Sequence, residues 1–267
     1  MTTPASDPYT LSADQINSYR RDGFVKLKGV LSESELATFD DAITRKVIEL
    51  NTMHLPMEDR STYDKAFLQV MNLWRTDDIV KRLVFDKRLA RIAAELMGVE
   101  GVRLYHDQAL YKEPSGGFTP WHADQYYWPL ASEHCVTAWI PLQETPVEMG
   151  PLEFSAGSHR LATGRDLRIS DESERVIQEL LGEADLQTVG GAFDAGEVSF
   201  HAGWLFHRAG PNTTETPRRV MCIIYMDADM KLKRPENENQ IDDWEAWCPG
   251  ARIGETIQTP LNPVLWP

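Results

Sequence analysis

Apolar positions change their period along the chain. From Ser12 they follow a helix: Ser12 and Gln15 form a capping box, Ile16 and Tyr19 recur at helical spacing, and Gly23 supplies a stop. The run "FVKLKGV" then alternates as a strand does. A second capping box, Ser32 with Glu35, opens a longer helix with Leu36, Phe39, Ala42, Ile43 and Val47 on one face. The stretch from about residue 12 to 100 thus reads as mostly helical. After "ELMGVEG" the period shortens, and "VRLYHDQALYKE", "VTAWIPLQE", "PLEFSA", "GEVSFHAGWLFHRAG" and "RRVMCIIYM" are short β-rich runs divided by Gly and Pro clusters. This spacing predicts an antiparallel barrel or double-sheet jelly roll rather than alternating βαβ units. "DESERVIQELLG", Asp171 to Gly182, interrupts it as an inserted helix. The tail from Lys231, rich in Pro, Asn and acidic residues, is expected to wrap the surface with Trp244, Trp247 and Trp266 pinning it.

The predicted class is mainly β with flanking α-helices around a double-stranded β-helix (jelly-roll, cupin-like) core. No linker divides the chain, so one domain is expected over 1–267: a helical part at about 12–100, the core at about 101–228, and the tail from about 229.

Charge narrows the partners. With 27 Lys+Arg against 41 Asp+Glu the net charge is -14, which repels nucleic acid and anionic membrane surfaces. "MTTPASDPYT" has no basic region leading into an apolar run, and no stretch of about 18 uninterrupted apolar residues occurs. Cys135, Cys222 and Cys248 are odd in number and far apart, which suggests neither a disulfide framework nor a cysteine zinc site. A soluble, cytoplasmic protein with a small-molecule partner, monomeric or homodimeric, is the expectation.

Candidate chemistry centres on "TPWHADQYYWP". Residues i and i+2 of a strand share a face, so His122 and Asp124 can offer an imidazole nitrogen and a carboxylate oxygen to one ion. "VSFHAGWLFHRAGPN" supplies a third ligand from either His201 or His207. Two histidines and one carboxylate on one side of iron(II) leave positions open for cosubstrate and oxygen. A histidine and an aspartate at this spacing also arise by chance, so the pair alone carries little. Arg218, at the head of the apolar run "VMCIIYM", can form a two-bond fork to a carboxylate, whereas Arg219 suits the surface.

Four segments in this order, "TPWHADQYYWP", "VTAWIPLQET", "GPLEFSAGSH" and "FHAGWLFHRAGPNTTETPRR", together with the N-terminal "GFVKLKGVLS", resemble the phytanoyl-CoA dioxygenase-like family of iron(II)- and 2-oxoglutarate-dependent oxygenases. The resemblance runs from about Ser12 to Met226. It implies that His122, Asp124 and His207 bind iron, and that Arg218, at the family's spacing after His207, binds the distal carboxylate of 2-oxoglutarate. It also implies that Trp139 walls the cosubstrate pocket and, more loosely, that Gln108 touches the cosubstrate or iron region. The implied reaction consumes 2-oxoglutarate and O2, releases succinate and CO2, and hydroxylates a small molecule. Related halogenating enzymes carry Ala or Gly at the Asp124 position, so the carboxylate here implies hydroxylation. One departure is Ala209, where similar proteins often carry a serine that contacts the cosubstrate. Family members act on varied substrates, so the family name does not specify one.

The other conspicuous residues have plainer readings. His159 is expected in a loop, His201 as a packed strand histidine bonded to backbone, and His106 and His134 as ordinary core or surface residues. Gln125, Glu144 or a water are the candidates for orienting the second nitrogen of the histidine ligands. Tyr126, Tyr127 and Trp128 either wall a substrate pocket, where their ring faces suit a cationic group, or pack the barrel. Two rival readings remain: the same cofactors driving desaturation, epoxidation or ring closure, and a barrel that binds a metal or ligand without turnover.

Overall fold

The structure is a computed structural model that describes residues 9–267. The reading of "MTTPASDPYT" therefore falls mostly outside the described residues.

Both predicted capping boxes form. The Ser12 and Gln15 side chains each accept a hydrogen bond from the other's backbone N–H at the head of α1 (Ala13–Asp22), and Ser32 and Glu35 do the same for α2 (Glu33–Leu50). Gly23 ends α1 at φ +83°, a conformation glycine adopts without a Cβ penalty. Two strands interrupt the stretch read as mostly helical: β1 (Phe24–Leu27) and β2 (Leu68–Met71), the latter after the short α3 (Thr62–Ala66). Helices α4 (Asp78–Val84) and α5 (Lys87–Met97) complete this part.

The core follows as β3 (Val102–Lys112), β4 (Thr119–His122), β5 (Cys135–Pro141), β6 (Leu152–Ser155), α6 (Asp171–Glu183), β7 (Thr188–Val189), β8 (Val198–Ala202), β9 (His207–Ala209) and β10 (Arg218–Asp227). The inserted helix thus lies where its pattern predicts. Two antiparallel sheets result. The larger runs β1-β8-β5-β10-β3 and ends on β11 (Val264–Trp266), with β2 also paired to β3, and the smaller runs β4-β9-β6-β7. The tail does more than wrap: it forms α7 (Glu238–Trp247), and β11 (Val264–Trp266) pairs with β3.

Alternation on the large sheet explains both the core and the site. Val136, Ala138 and Ile140 of β5 and Met221, Ile223 and Tyr225 of β10 point to one face, where α2, α4 and α5 cover them. Their neighbours Trp139, Cys222 and Ile224 point to the other face, towards the small sheet. With both faces buried, "VMCIIYM" is continuously apolar rather than alternating. Among the described residues no helix is long and apolar enough to cross a membrane.

Candidate metal centre and cavity

The two sheets divide the work of building the site. In the small sheet β4 and β9 are antiparallel, and His122 lies directly opposite His207 with ring centroids 4.1 Å apart. Register alone therefore brings together histidines 85 positions apart in sequence. Ala123 keeps an extended backbone, so Asp124 emerges on the same side as His122 although it already begins a short 3-10 turn, Asp124–Tyr127.

Each imidazole is oriented by a backbone carbonyl two residues earlier: Pro120 O lies 2.7 Å from His122 Nδ1, and Leu205 O lies 3.0 Å from His207 Nδ1. These carbonyls take the place of the side chains expected for this task. Gln125 instead donates to Ser132 O at 2.7 Å. The Nε2 atoms of His122 and His207 then face Asp124 Oδ1 at 3.5 and 3.6 Å. Ligand atoms of the three residues all lie within 4.8 Å of one another.

The large sheet holds the carboxylate. Thr137 and His201 are paired residues of β5 and β8, and both reach Asp124 Oδ2, Thr137 Oγ1 at 2.9 Å and His201 Nε2 at 3.2 Å. This corrects the reading of His201 as bonded to backbone. It belongs to the site as a neighbour of Asp124. Burial alone would raise the Asp124 carboxyl, but the surrounding imidazoles hold it well below the usual carboxylate range. Burial, and then the nearby His122, hold His207 well below the usual histidine range. An ionised carboxylate beside neutral imidazole is the state a divalent cation needs. First-row metal bonds of about 2.0–2.2 Å put neighbouring ligand atoms roughly 3 Å apart, so the donor set fits one such ion after a small contraction.

The triad opens into a cavity of about 260 Å³. Arg218, at the start of β10, is buried on its wall, with its guanidinium 5.4 Å from the Trp139 ring. Arg218 Nη1 donates to Gly150 O, while Nε has no partner. Burial pushes its pKa down to about 10, which leaves it a cation at neutral pH. Gln108 also lines the cavity and accepts from Gln69 Nε2 at 2.5 Å.

Sequence reasoning missed Lys112, which lies opposite Arg218 in the β3–β10 register. Its ammonium donates to Gly117 O and stands 3.5 Å from the hydroxyl of Thr119, a cavity-lining residue. Burial and then the Arg218 charge push it down to about 6. In the Tyr126–Trp128 trio the roles divide. Tyr127 and Trp128 line the cavity, whereas the Tyr126 hydroxyl accepts from Asn239 Nδ2 at 3.2 Å and its ring meets Tyr127 edge-on. His106, read as an ordinary residue, is buried on the cavity wall between Trp128 and Trp247. His159 is in a short turn against Gly23, and His134 is exposed beside Asp227.

Comparison with known proteins agrees with this geometry. The family model described as Phytanoyl-CoA dioxygenase (PhyH) matches residues 19–220. A probable alpha-ketoglutarate-dependent hypophosphite dioxygenase of Stutzerimonas stutzeri is 26% identical over 230 residues, 81% of this chain and 79% of that protein. Among solved structures, the epimerase SnoN in complex with Fe3+, alpha ketoglutarate and nogalamycin RO is 28% identical with a TM-score of 0.79, covering 94% of this chain and 97% of that one. The alpha ketoglutarate dependent carbocyclase SnoK from nogalamycin biosynthesis is 26% identical with a TM-score of 0.78, covering 97% and 99%. The chain belongs to the phytanoyl-CoA dioxygenase family and is an iron- and 2-oxoglutarate-dependent oxygenase.

Proposed function

We propose that the protein hydroxylates a small molecule, using iron(II) held by His122, Asp124 and His207 and 2-oxoglutarate anchored through its distal carboxylate by Arg218. One observation carries this reading: the triad and a buried arginine with an unpartnered Nε share a single cavity. Bound iron supplies the oxidising power, coupling breakdown of 2-oxoglutarate with O2 to attack on a substrate C–H bond. The chain's own residues do the placing. Thr137 and His201 fix the carboxylate ligand, the Pro120 and Leu205 carbonyls fix the imidazoles, and Trp139 backs the Arg218 guanidinium. Gln108 borders the cosubstrate, and Tyr127 and Trp128 offer a wall for the substrate. The free cysteines are buried, which suits a reducing cytoplasm.

Iron-loaded protein is expected to convert 2-oxoglutarate to succinate slowly even without its substrate. His122→Ala, Asp124→Ala or His207→Ala should abolish that turnover, and Arg218→Ala should chiefly raise the KM for 2-oxoglutarate. Full activity in His207→Ala, or no succinate from the wild type, would remove the reading.

The carbocyclase and epimerase among the similar structures favour one alternative, a different oxidative outcome with the same cofactors. Product mass separates them: hydroxylation adds one oxygen, desaturation or ring closure removes two hydrogens, and epimerisation leaves the mass unchanged.

A further inference from the structure

The cavity has two chemically distinct ends. Lys112 and Arg218 mark one, where β3 ends and β10 begins. His106, six residues earlier on the extended β3, is about 20 Å from Lys112 at about 3.3 Å per residue, and it marks the other. At that second end α7 presents Asp243 and, one turn later, Trp247 to the cavity. The Tyr105 hydroxyl donates to Asp243 Oδ2 at 3.0 Å, and the Trp247 indole also steadies the carboxylate. Among the described groups that act on it, none is a cation. His106, on the wall of the same cavity, is pushed down to about 3 by burial and brings no positive charge. Arg218 is the one arginine or lysine among the described cavity-lining residues, and it stands at the far end.

A charge balance makes Asp243 conspicuous. Iron(II), the Asp124 carboxylate, the dianionic cosubstrate and the Arg218 guanidinium would cancel one another, and Lys112 stands with Arg218 at the opposite end, so Asp243 is left without a counter-charge beside it. Burying a carboxylate in that condition is unfavourable unless a partner arrives, and burial does push Asp243 up to about 7. The rings that share the cavity with it are the kind that attract a cation through their faces. Trp128 and Trp247 flank His106 at 6.1 and 5.7 Å, and Tyr63 and Tyr127 line the same cavity.

We propose that Asp243, with Trp128 and Trp247, forms a subsite for a cationic nitrogen of the substrate, a protonated amine or a quaternary ammonium. This rests on the oxygenase reading, since the subsite would hold one end of the molecule whose C–H bond faces the iron. A structural carboxylate serving only Tyr105 and Trp247 would have no need to face the cavity.

The test uses iron-loaded protein with 2-oxoglutarate, kept free of oxygen, and two matched probe pairs: choline with 3,3-dimethylbutan-1-ol, and benzylamine with benzyl alcohol. Binding is followed by tryptophan fluorescence and by calorimetry. In at least one pair the cation should bind about tenfold or more tightly than its neutral counterpart. Asp243→Asn should abolish that preference while the neutral probe still binds, and Asp243→Glu, which keeps the charge, should retain it. Equal affinity within both pairs, no binding of either cation, or a preference that survives Asp243→Asn overturns the proposal. Wild-type succinate release in air separates the two claims: succinate without cation preference removes only this subsite, whereas cation preference without succinate removes the oxygenase reading.

Discussion

Thr137 shows how much of the proposed metal centre depends on residues outside the triad. Its hydroxyl donates to Asp124 Oδ2, the same oxygen that His201 approaches, so the carboxylate is held from the large sheet while the histidines stand on the small one. Thr137→Val keeps the shape and removes one of these two contacts. Loss of an outer partner commonly weakens metal binding about 10- to 100-fold. Competition with a chelator should therefore show weaker iron retention in Thr137→Val, and unchanged retention would mean that His201 alone positions Asp124. Lys112 leads to a pH prediction at the cosubstrate end. In the free protein it loses its proton above about 6, because burial and the neighbouring Arg218 disfavour its charge. A dicarboxylate arriving beside it favours the protonated amine, so binding at pH 7 to 8 should take up a proton and weaken as pH rises. Calorimetry of 2-oxoglutarate in buffers of different ionisation heat reads the proton directly, and Lys112→Met should eliminate the uptake.

Among the elements, the turn before β6 couples backbone geometry to the cosubstrate pocket. Gly150 has φ +67°, a Cβ built on it would meet Gly210 O at 2.1 Å, and its own carbonyl accepts from Arg218. Gly150→Ala thus strains a left-handed position, collides with backbone and displaces the guanidinium's anchor. A loss of roughly 1–3 kcal/mol of stability is expected from the strained position, together with a higher KM for 2-oxoglutarate. A normal urea midpoint and normal KM would show that the turn yields without disturbing Arg218. Elements whose signals are local were legible in the sequence: the capping boxes of α1 and α2, the insertion α6, and the strands whose Gly and Pro boundaries stand out. Strand β2 was not, because four residues among helices carry no period of their own and become a strand only by pairing with β3. Helix α7 was missed for a related reason. The acidic, Asn- and Pro-containing segment around it reads as tail, and Gln240 fixes it by donating to Tyr126 O, far away in sequence. The grouping of His122, Asp124 and His207 was legible through motif order. His201, Thr137, Lys112 and Asp243 were not, since their roles come from sheet register and from the docking of α7.

For the whole molecule, the electrostatic question is how a chain of net charge -14 tolerates carboxyls in its interior. Asp107 is fully buried on β3 and accepts from Leu73 N at 2.9 Å and Trp74 N at 3.4 Å, and among the described groups acting on it none is a cation. Burial pushes it up to about 7, with those backbone bonds offsetting part of the rise. Asp243, in the cavity, is pushed up to about 7 as well. The sign follows from proton counting. Between the unfolded carboxyl value near 4 and about 7 the folded protein holds protons that the unfolded chain has released, so stability falls as pH rises through that window and levels off above it. Asp124 behaves oppositely: its carboxyl is held well below the usual range, so its contribution is present at neutral pH and is lost only on acidification below about 4. Buried imidazoles oppose the two acids in the same window: His106, pushed down to about 3, and His207, held well below its usual range, add stability as pH rises towards the unfolded histidine value near 6.5. The acid effect is therefore read as a difference between variants. The urea midpoint of metal-free Asp107→Asn, which keeps an acceptor for Leu73, should gain on that of the metal-free wild type from pH 5 to 7, and a gap that stays constant across this window would mean that Asp107 ionises freely in the fold.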